Sequence, residues 1–228
     1  EKGDFAFFNK KNILIKKELK NKNIKSKVIN VDDKLSLNYN KLIKNEYFNN
    51  KNNEQNLSFI FAICKKLKID KKNIIKIINN FKGLKFRQQI IYDSKKLTII
   101  NDSKSTSFSS SVNLISSMNN IFWILGGLPK KGDKFKLIKN KNLALKAFIY
   151  GKQKNFFINN LKNKILFETF KNLKDAFKKA ILEIKNKKNK KKIIILFSPC
   201  SASFDTFNNF EERGEYFNYL VKSQKIKI

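Results

Sequence analysis

Four short segments of this 228-residue chain hold the side chains that could do chemistry. Asn101-Asp102-Ser103-Lys104-Ser105-Thr106 sets a carboxylate, an amine and several hydroxyls side by side. Gly126-Gly127-Leu128-Pro129-Lys130 joins paired glycines to a lysine, Gly151 follows an apolar run, and Ser198-Pro199-Cys200-Ser201-Ala202-Ser203 is rich in hydroxyls. Lysine point charges and hydroxyl donors suit the binding of an anion. Nucleophilic catalysis is poorly served. The chain has no histidine, which excludes Ser-His-Asp and Cys-His mechanisms and any histidine-ligated metal. The serines of 198–203 therefore read as contacts for a ligand carboxylate. Gly127 to Gly132 has the glycine spacing of a phosphate loop, but Asp133 follows where that loop needs lysine, and a carboxylate there repels phosphate. Cys64 and Cys200 form neither a disulfide framework nor a CxxC motif, which fits a reducing cytoplasm. Cys64 falls on an apolar helical face and reads as core. By residue type alone Phe210 also reads as core, and Asp102-Ser103-Lys104 is equally compatible with a surface turn.

Each of the four segments follows a predicted strand. Ile90-Ile91-Tyr92, a polar turn at 93–96 and Leu97 to Ile100 read as a hairpin. A helix with Val112 and Ile115 inward comes next, then strands at Ile121 to Leu125, Ala147 to Tyr150 and Ile165 to Phe167. Asn172 caps an amphipathic helix with Leu173, Ala176, Phe177, Ala180, Ile181 and Ile184 on one face. The unbroken apolar run Ile193 to Phe197 is that of a strand buried on both faces. A last helix carries Phe217, Leu220 and Val221. Strands alternating with helices predict an α/β fold with a mostly parallel, Rossmann-like sheet, and such sheets bind ligands at the carboxyl ends of their strands. Lys104 and Lys130 are thereby expected to converge on an anion.

Upstream the pattern differs. Phe5 to Phe8, Ile13-Leu14-Ile15 and Val28 to Val31 read as edge strands or strand ends. Ile60, Cys64 and Leu67 recur on one helical face, Asp70 caps a helix with Ile74, Ile78 and Phe81, and Gly83 fits its stop. This places a domain boundary near residue 84, with domains 1–83 and 84–228.

The net charge of +32 invites a nucleic-acid reading. Yet only Arg87 and Arg213 of the 50 basic residues are arginine, the usual base reader, and the lysines spread along the whole chain with asparagine, isoleucine and phenylalanine, the mix A/T-rich codons give. The densest run, Lys185 to Lys192, reads as a solvated loop. No apolar stretch approaches the roughly 20 residues of a membrane span. The chain starts at Glu1 and its one methionine is Met118, so it reads as part of a longer product.

Taken in order, the runs 101–106, 125–133 and 198–214 resemble the D-glutamate-adding Mur ligases, and the Asn-Asp-Ser-Lys form after its strand separates these from their sister ligases. The resemblance implies that 1–83 is the C-terminal part of a central ATPase domain, without its phosphate loop, and that 84–228 is the C-terminal domain. It implies an ATP-dependent amide ligase of peptidoglycan synthesis. The substrates would be UDP-N-acetylmuramoyl-L-alanine and D-glutamate, joined through an acyl phosphate in the cytoplasm by a monomer with neither nucleic acid nor membrane as partner. Asn53 and Asn56 match an Asn-x-x-Asn that reaches ATP, although Asn52 stands where the family has histidine. Arg87 matches a nucleotide contact, preceded here by Lys85-Phe86 instead of Pro-His, and Asp102 a carboxylate at the ribose. Lys104, Thr106, Lys130, Ser203 and Phe210 match the residues around D-glutamate, with Lys104 and Lys130 as the catalytic charges and Ser107 where the family often has asparagine. Mg²⁺ ligands are expected upstream, none in this chain, which alone would be inactive. A basic nucleic-acid module and a degenerate ligand-binding remnant are the competing readings.

Overall fold

The computed structural model describes residues 2–21, 24–48, 51–136, 145–187, 191–224 and 226. The chain divides into two units, Glu1–Lys82 and Gly83–Ile228.

In the first unit β1 (Phe5–Asn9) and β2 (Lys27–Val31) pair in parallel, Phe5 opposite Lys27 and Asn9 opposite Val31. Parallel neighbours need a crossover that runs back along the sheet. That crossover is α1 (Ile13–Asn21), so Ile13-Leu14-Ile15 begins a helix and the expected strand there is corrected. Asn12 starts the helix by accepting the Ile15 N–H at 3.1 Å. A three-residue apolar run has no period to read, and α1 buries none of its residues. Two 3₁₀ segments, Leu35–Leu42 and Glu46–Phe48, lead to α2 (Lys51–Lys66) and α3 (Lys71–Asn80). Leu57 and Phe61 of α2 pack with Ile74 and Ile78 of α3 and with Phe48. Cys64 is only partly buried at the edge of this cluster, and Leu67 lies past the helix end at 65% exposure, so the buried stripe sits one turn earlier than expected. Asp70 caps α3, accepting from the N–H groups of Lys72 and Asn73 at 2.9 and 3.2 Å. The helix stops at Asn80 because Phe81 is already extended, ahead of Gly83.

The second unit is a six-stranded sheet in the order β3-β4-β8-β5-β6-β7. The strands are β3 (Gln89–Asp93), β4 (Leu97–Asn101), β5 (Ile121–Gly126), β6 (Leu145–Tyr150), β7 (Leu166–Phe170) and β8 (Ile193–Phe197). Only β3 is antiparallel to its neighbour. Helices α4 (Phe108–Ser116), α5 (Lys154–Leu161), α6 (Leu173–Asn186) and α7 (Phe210–Ser223) complete it. Phe122 and Ile124 of β5 join the cluster built with α6 and α7, while Ile121, Trp123 and Leu125 join the one built with α4 and α5. Helices on both faces explain why β5 and β8 carry no polar alternation. Asn172 caps α6 through the Asp175 N–H at 2.9 Å, and all six expected inward residues are buried. Helix α5 was not foreseen. Its buried pair, Phe157 and Leu161, is diluted by asparagine and lysine. Of the lysine run 185–192, residues 188–190 lie outside the described residues.

Candidate functional site

Strand register decides where the chemistry-bearing loops start. Asn101 pairs with Phe197, Phe197 with Ile124, and Gly126 with Tyr150. The segments beginning at Asp102, Ser198, Gly127 and Gly151 therefore leave one edge of the sheet side by side, where open parallel sheets bind ligands. Backbone bonds tie them together. Asp102 N–H donates to Phe197 O at 2.7 Å, and Leu128 and Ala202 exchange N–H···O bonds at 3.0 and 2.9 Å.

Asp102 is buried beneath this edge. Its Oδ2 accepts from the Ser198 hydroxyl at 2.9 Å and its Oδ1 from the Gln88 N–H at 3.1 Å. Burial pushes its carboxyl up to about 6, against the pull of those two bonds and of the Arg87 charge. Arg87 is exposed beside it, so the structure brings these two residues near each other. Each Asp102 oxygen keeps a spare lone pair, which fits the acceptor a ribose hydroxyl requires. The Arg87 guanidinium suits a phosphate.

Lys104 and Phe210 also meet. The ammonium lies 3.7 Å from the ring centroid, a cation–π contact. The ring is in turn set edge-on to Phe86, whose carbonyl accepts the Lys104 N–H at 3.0 Å. Phe86 and Gln88, just before β3, and Cys200, after β8, hold left-handed backbone at φ of 61°, 51° and 56°. Strain of this kind gathers where loop geometry serves a ligand. Ser203 is buried, with its carbonyl accepting from Thr206 and Phe207 and its hydroxyl bonded to no described residue. Thr106 and Lys130 are exposed, and the Lys130 ammonium makes no ion pair among the described residues. In the first unit Asn53 is buried and donates to Tyr47 O at 2.6 Å, while Asn56 is exposed and donates to Asn53 Oδ1 at 3.4 Å.

Asp133, the residue that spoils the phosphate loop, has a different task. Its Oδ2 accepts the Phe108 N–H at 2.7 Å, which fastens the glycine loop to the start of α4. Cys200 is sealed in, and burial drives its thiol pKa upward, so it is no nucleophile.

The residue that sequence reasoning left without a role is Arg213. It is 1% exposed. Its Nε donates to Ser103 Oγ at 3.1 Å, Nη2 to the carbonyls of Ser103 and Ser201 at 2.8 and 2.9 Å, and Nη1 to Ala202 O at 3.2 Å and Ser201 Oγ at 3.4 Å. The guanidinium thus pins the loop after β4 to the loop after β8. A signal existed, because Arg213 is one of two arginines among 50 basic residues. Where nearly every cation is lysine, a retained arginine marks a place that needs the fork geometry. The same packing makes Gly127 obligatory. A Cβ there would lie 2.4 Å from Ser201 Oγ and 2.7 Å from Ala202 O.

No protein-family profile matches the chain. Individual proteins do. A UDP-N-acetylmuramoylalanine–D-glutamate ligase of Wolbachia sp. subsp. Brugia malayi is 41% identical over 165 residues, which is 72% of this chain and 33% of the ligase. That of Rickettsia prowazekii is 36% identical over 206 residues, 87% of this chain and 45% of the ligase. This chain is a relative of the UDP-N-acetylmuramoylalanine–D-glutamate ligases. It spans between a third and a half of the length of those two ligases. A crystal structure of MurF from Acinetobacter baumannii matches with a TM-score of 0.49 at 14% identity, covering 76% of this chain and 38% of that one. Among the described residues no three Cys, Asp or Glu side chains gather as a metal site, and no helix is long and apolar enough to cross a membrane.

Proposed function

We propose that this chain serves as the C-terminal portion of a D-glutamate-adding Mur ligase, with Glu1–Lys82 as the tail of the central ATPase domain and Gly83–Ile228 as the C-terminal domain. The enzyme joins UDP-N-acetylmuramoyl-L-alanine to D-glutamate in the cytoplasm, as a monomer, during peptidoglycan synthesis. The observation that carries this reading is the shared edge at which Asp102, Lys104, Ser203 and the glycine loop ending in Lys130 emerge together.

ATP, when bound, supplies the phosphoryl group that activates the nucleotide-linked alanine carboxylate as an acyl phosphate. Asp102 and Arg87 hold the nucleotide by its ribose and phosphates. The remaining work is positioning and charge. Lys104 and Lys130 receive the carboxylates of D-glutamate and offset the charge of the departing phosphate. Ser203, whose hydroxyl has no partner among the described residues, and Thr106 donate hydrogen bonds to the same amino acid. Phe210 walls the pocket and fixes the Lys104 ammonium over its ring.

Titration of the chain with D-glutamate and with ATP tests the reading. Binding of D-glutamate that Lys130→Ala weakens about tenfold supports it, and equal binding by the variant overturns it. Product formed by this chain alone from the two substrates and ATP would contradict the further claim that it is inactive by itself.

A further inference from the structure

Arg87 stands on a segment with little packing of its own. Of the described residues between Ile78 and Leu97, only Phe86 is buried, at 4% exposure. Its ring lies against Gly214, in the first half of α7. A Cβ on Gly214 would stand 2.3 Å from Phe86 Cδ1, 2.7 Å from Cγ and 2.8 Å from Cε1, so only glycine leaves room for the ring. Glycine weakens a helix interior relative to alanine, and here its missing side chain makes the seat. Hydrogen bonds fasten the same segment. The Phe86 carbonyl accepts the Lys104 N–H at 3.0 Å, the Phe86 N–H donates to Gln89 Oε1 at 3.1 Å, and the Gln88 N–H donates to Asp102 Oδ1 at 3.1 Å. Phe86 and Gln88, on either side of Arg87, both hold left-handed backbone. Residues other than glycine keep that shape only where their surroundings impose it.

We propose that Phe86 is a positioning residue for Arg87. This rests on the reading of Arg87 as a nucleotide contact and adds to it the residue that holds the arginine in place. The ring over Gly214 is the one buried side chain of segment 84–88, and it fixes the left-handed backbone that carries the exposed Arg87. Without the ring, a few hydrogen bonds alone would have to hold two strained residues, and the segment would open. An arginine on an open segment loses affinity, because its backbone must be ordered when the ligand binds. On a fixed segment that ordering is already complete.

Titration of the 228-residue chain with ATP separates this proposal from the reading beneath it. Phe86→Ala and Arg87→Ala are each expected to weaken ATP about tenfold, and the double variant is expected within about twofold of either, because an arginine already released has little more to lose. Gly214→Ala keeps the ring but occupies its seat. Alanine favours the helix, so a similar loss in that variant traces to the displaced ring. If the two single losses multiply in the double variant, or Phe86→Ala leaves ATP unchanged while Arg87→Ala weakens it, the proposal fails and the nucleotide reading stands. If ATP does not bind, or Arg87→Ala changes nothing, both fall. A second measurement needs no ligand. Arg87 and Arg213 are the only arginines of the sequence, and Arg213 is 1% exposed. An arginine-specific protease therefore reports opening of the segment by cleavage at Arg87, and opening of the whole domain by cleavage at Arg213. Phe86→Ala is expected to speed cleavage at Arg87 about tenfold relative to cleavage at Arg213. An unchanged ratio overturns the proposal, since Phe86 would then support the domain as a whole and not this segment.

Discussion

The ammonium of Lys104 stands 3.7 Å from the ring centroid of Phe210, 106 residues further along the chain. One residue follows β4 and the other begins α7, so this contact reports whether the two loops are correctly joined. Phe210→Leu keeps an apolar side chain and removes the ring face. Cation–π contacts at half-exposed sites contribute roughly 0.5–1 kcal/mol, so the loss of stability should be of that size. Lys104 would then lose its fixed direction, and D-glutamate affinity should fall about fivefold. Urea denaturation and ligand titration of the same variant measure the two effects separately. A large loss of stability with unchanged affinity would mean that Phe210 is only core.

Arg213 should tolerate even less. Arg213→Lys keeps the charge but cannot reproduce a fork that reaches three carbonyls and two hydroxyls. The buried carbonyls of Ser103, Ser201 and Ala202 are left underbonded. With charge-assisted bonds contributing about 1.5–3 kcal/mol each, a loss of about 3 kcal/mol or more is expected, read as a lower urea midpoint at unchanged m-value. A shift under 1 kcal/mol would show that the loops hold without the arginine.

These two residues also show what the sequence could and could not convey. Helix α6 was legible because Leu173 to Ile184 repeat cleanly at helical spacing behind an Asn cap, and β5 and β8 because a strand covered on both faces has no polar alternation. Ile13-Leu14-Ile15 was not, since the need for a crossover arises only from the pairing of β1 with β2. At the site, Asp102 and Lys104 were visible as residue types after a strand. The partners that define them, Ser198, Gln88 and Phe210, are joined by tertiary contact that no local pattern encodes. The role of Asp133 was hidden for the same reason. Its spacing suggested only a failed phosphate loop, and its partner is the N–H of Phe108.

Asp102 gives the fold a defined pH dependence. Its folded pKa, about 6, lies above the ordinary 3.8. The folded state therefore binds the proton more tightly, and this carboxyl's contribution is fully present below about pH 4 and is lost as pH rises to about 6. The difference corresponds to roughly 3 kcal/mol. Asp102→Asn removes the titration, so the stability of the natural chain relative to this variant should fall by about that amount between pH 4 and pH 7. Arg87→Gln, which removes the charge opposing burial, should move the transition to higher pH. Paired urea titrations across this range check both, and a pH-independent difference between Asp102→Asn and the natural chain would show that Asp102 titrates normally.

The glycine loop offers a controlled comparison between strain and collision. Gly127 and Gly132 both hold positive φ, at 125° and 79°. A Cβ on Gly132 meets nothing within 4 Å, so Gly132→Ala suffers only the backbone penalty, about 1 kcal/mol. Gly127→Ala adds a collision with Ser201 Oγ at 2.4 Å and Ala202 O at 2.7 Å, atoms that Arg213 also binds. The Ala202 carbonyl is backbone and cannot turn aside as a side chain could. Relief requires parting the Leu128–Ala202 bridge, which carries two hydrogen bonds. Gly127→Ala should therefore destabilise the chain by about 3 kcal/mol or more, and it should weaken D-glutamate binding by moving Lys130 and Ser203 apart. Melting temperatures of the two variants, measured side by side, decide the matter. Equal losses would mean that the bridge yields freely and that the loop after β5 is not locked to the loop after β8.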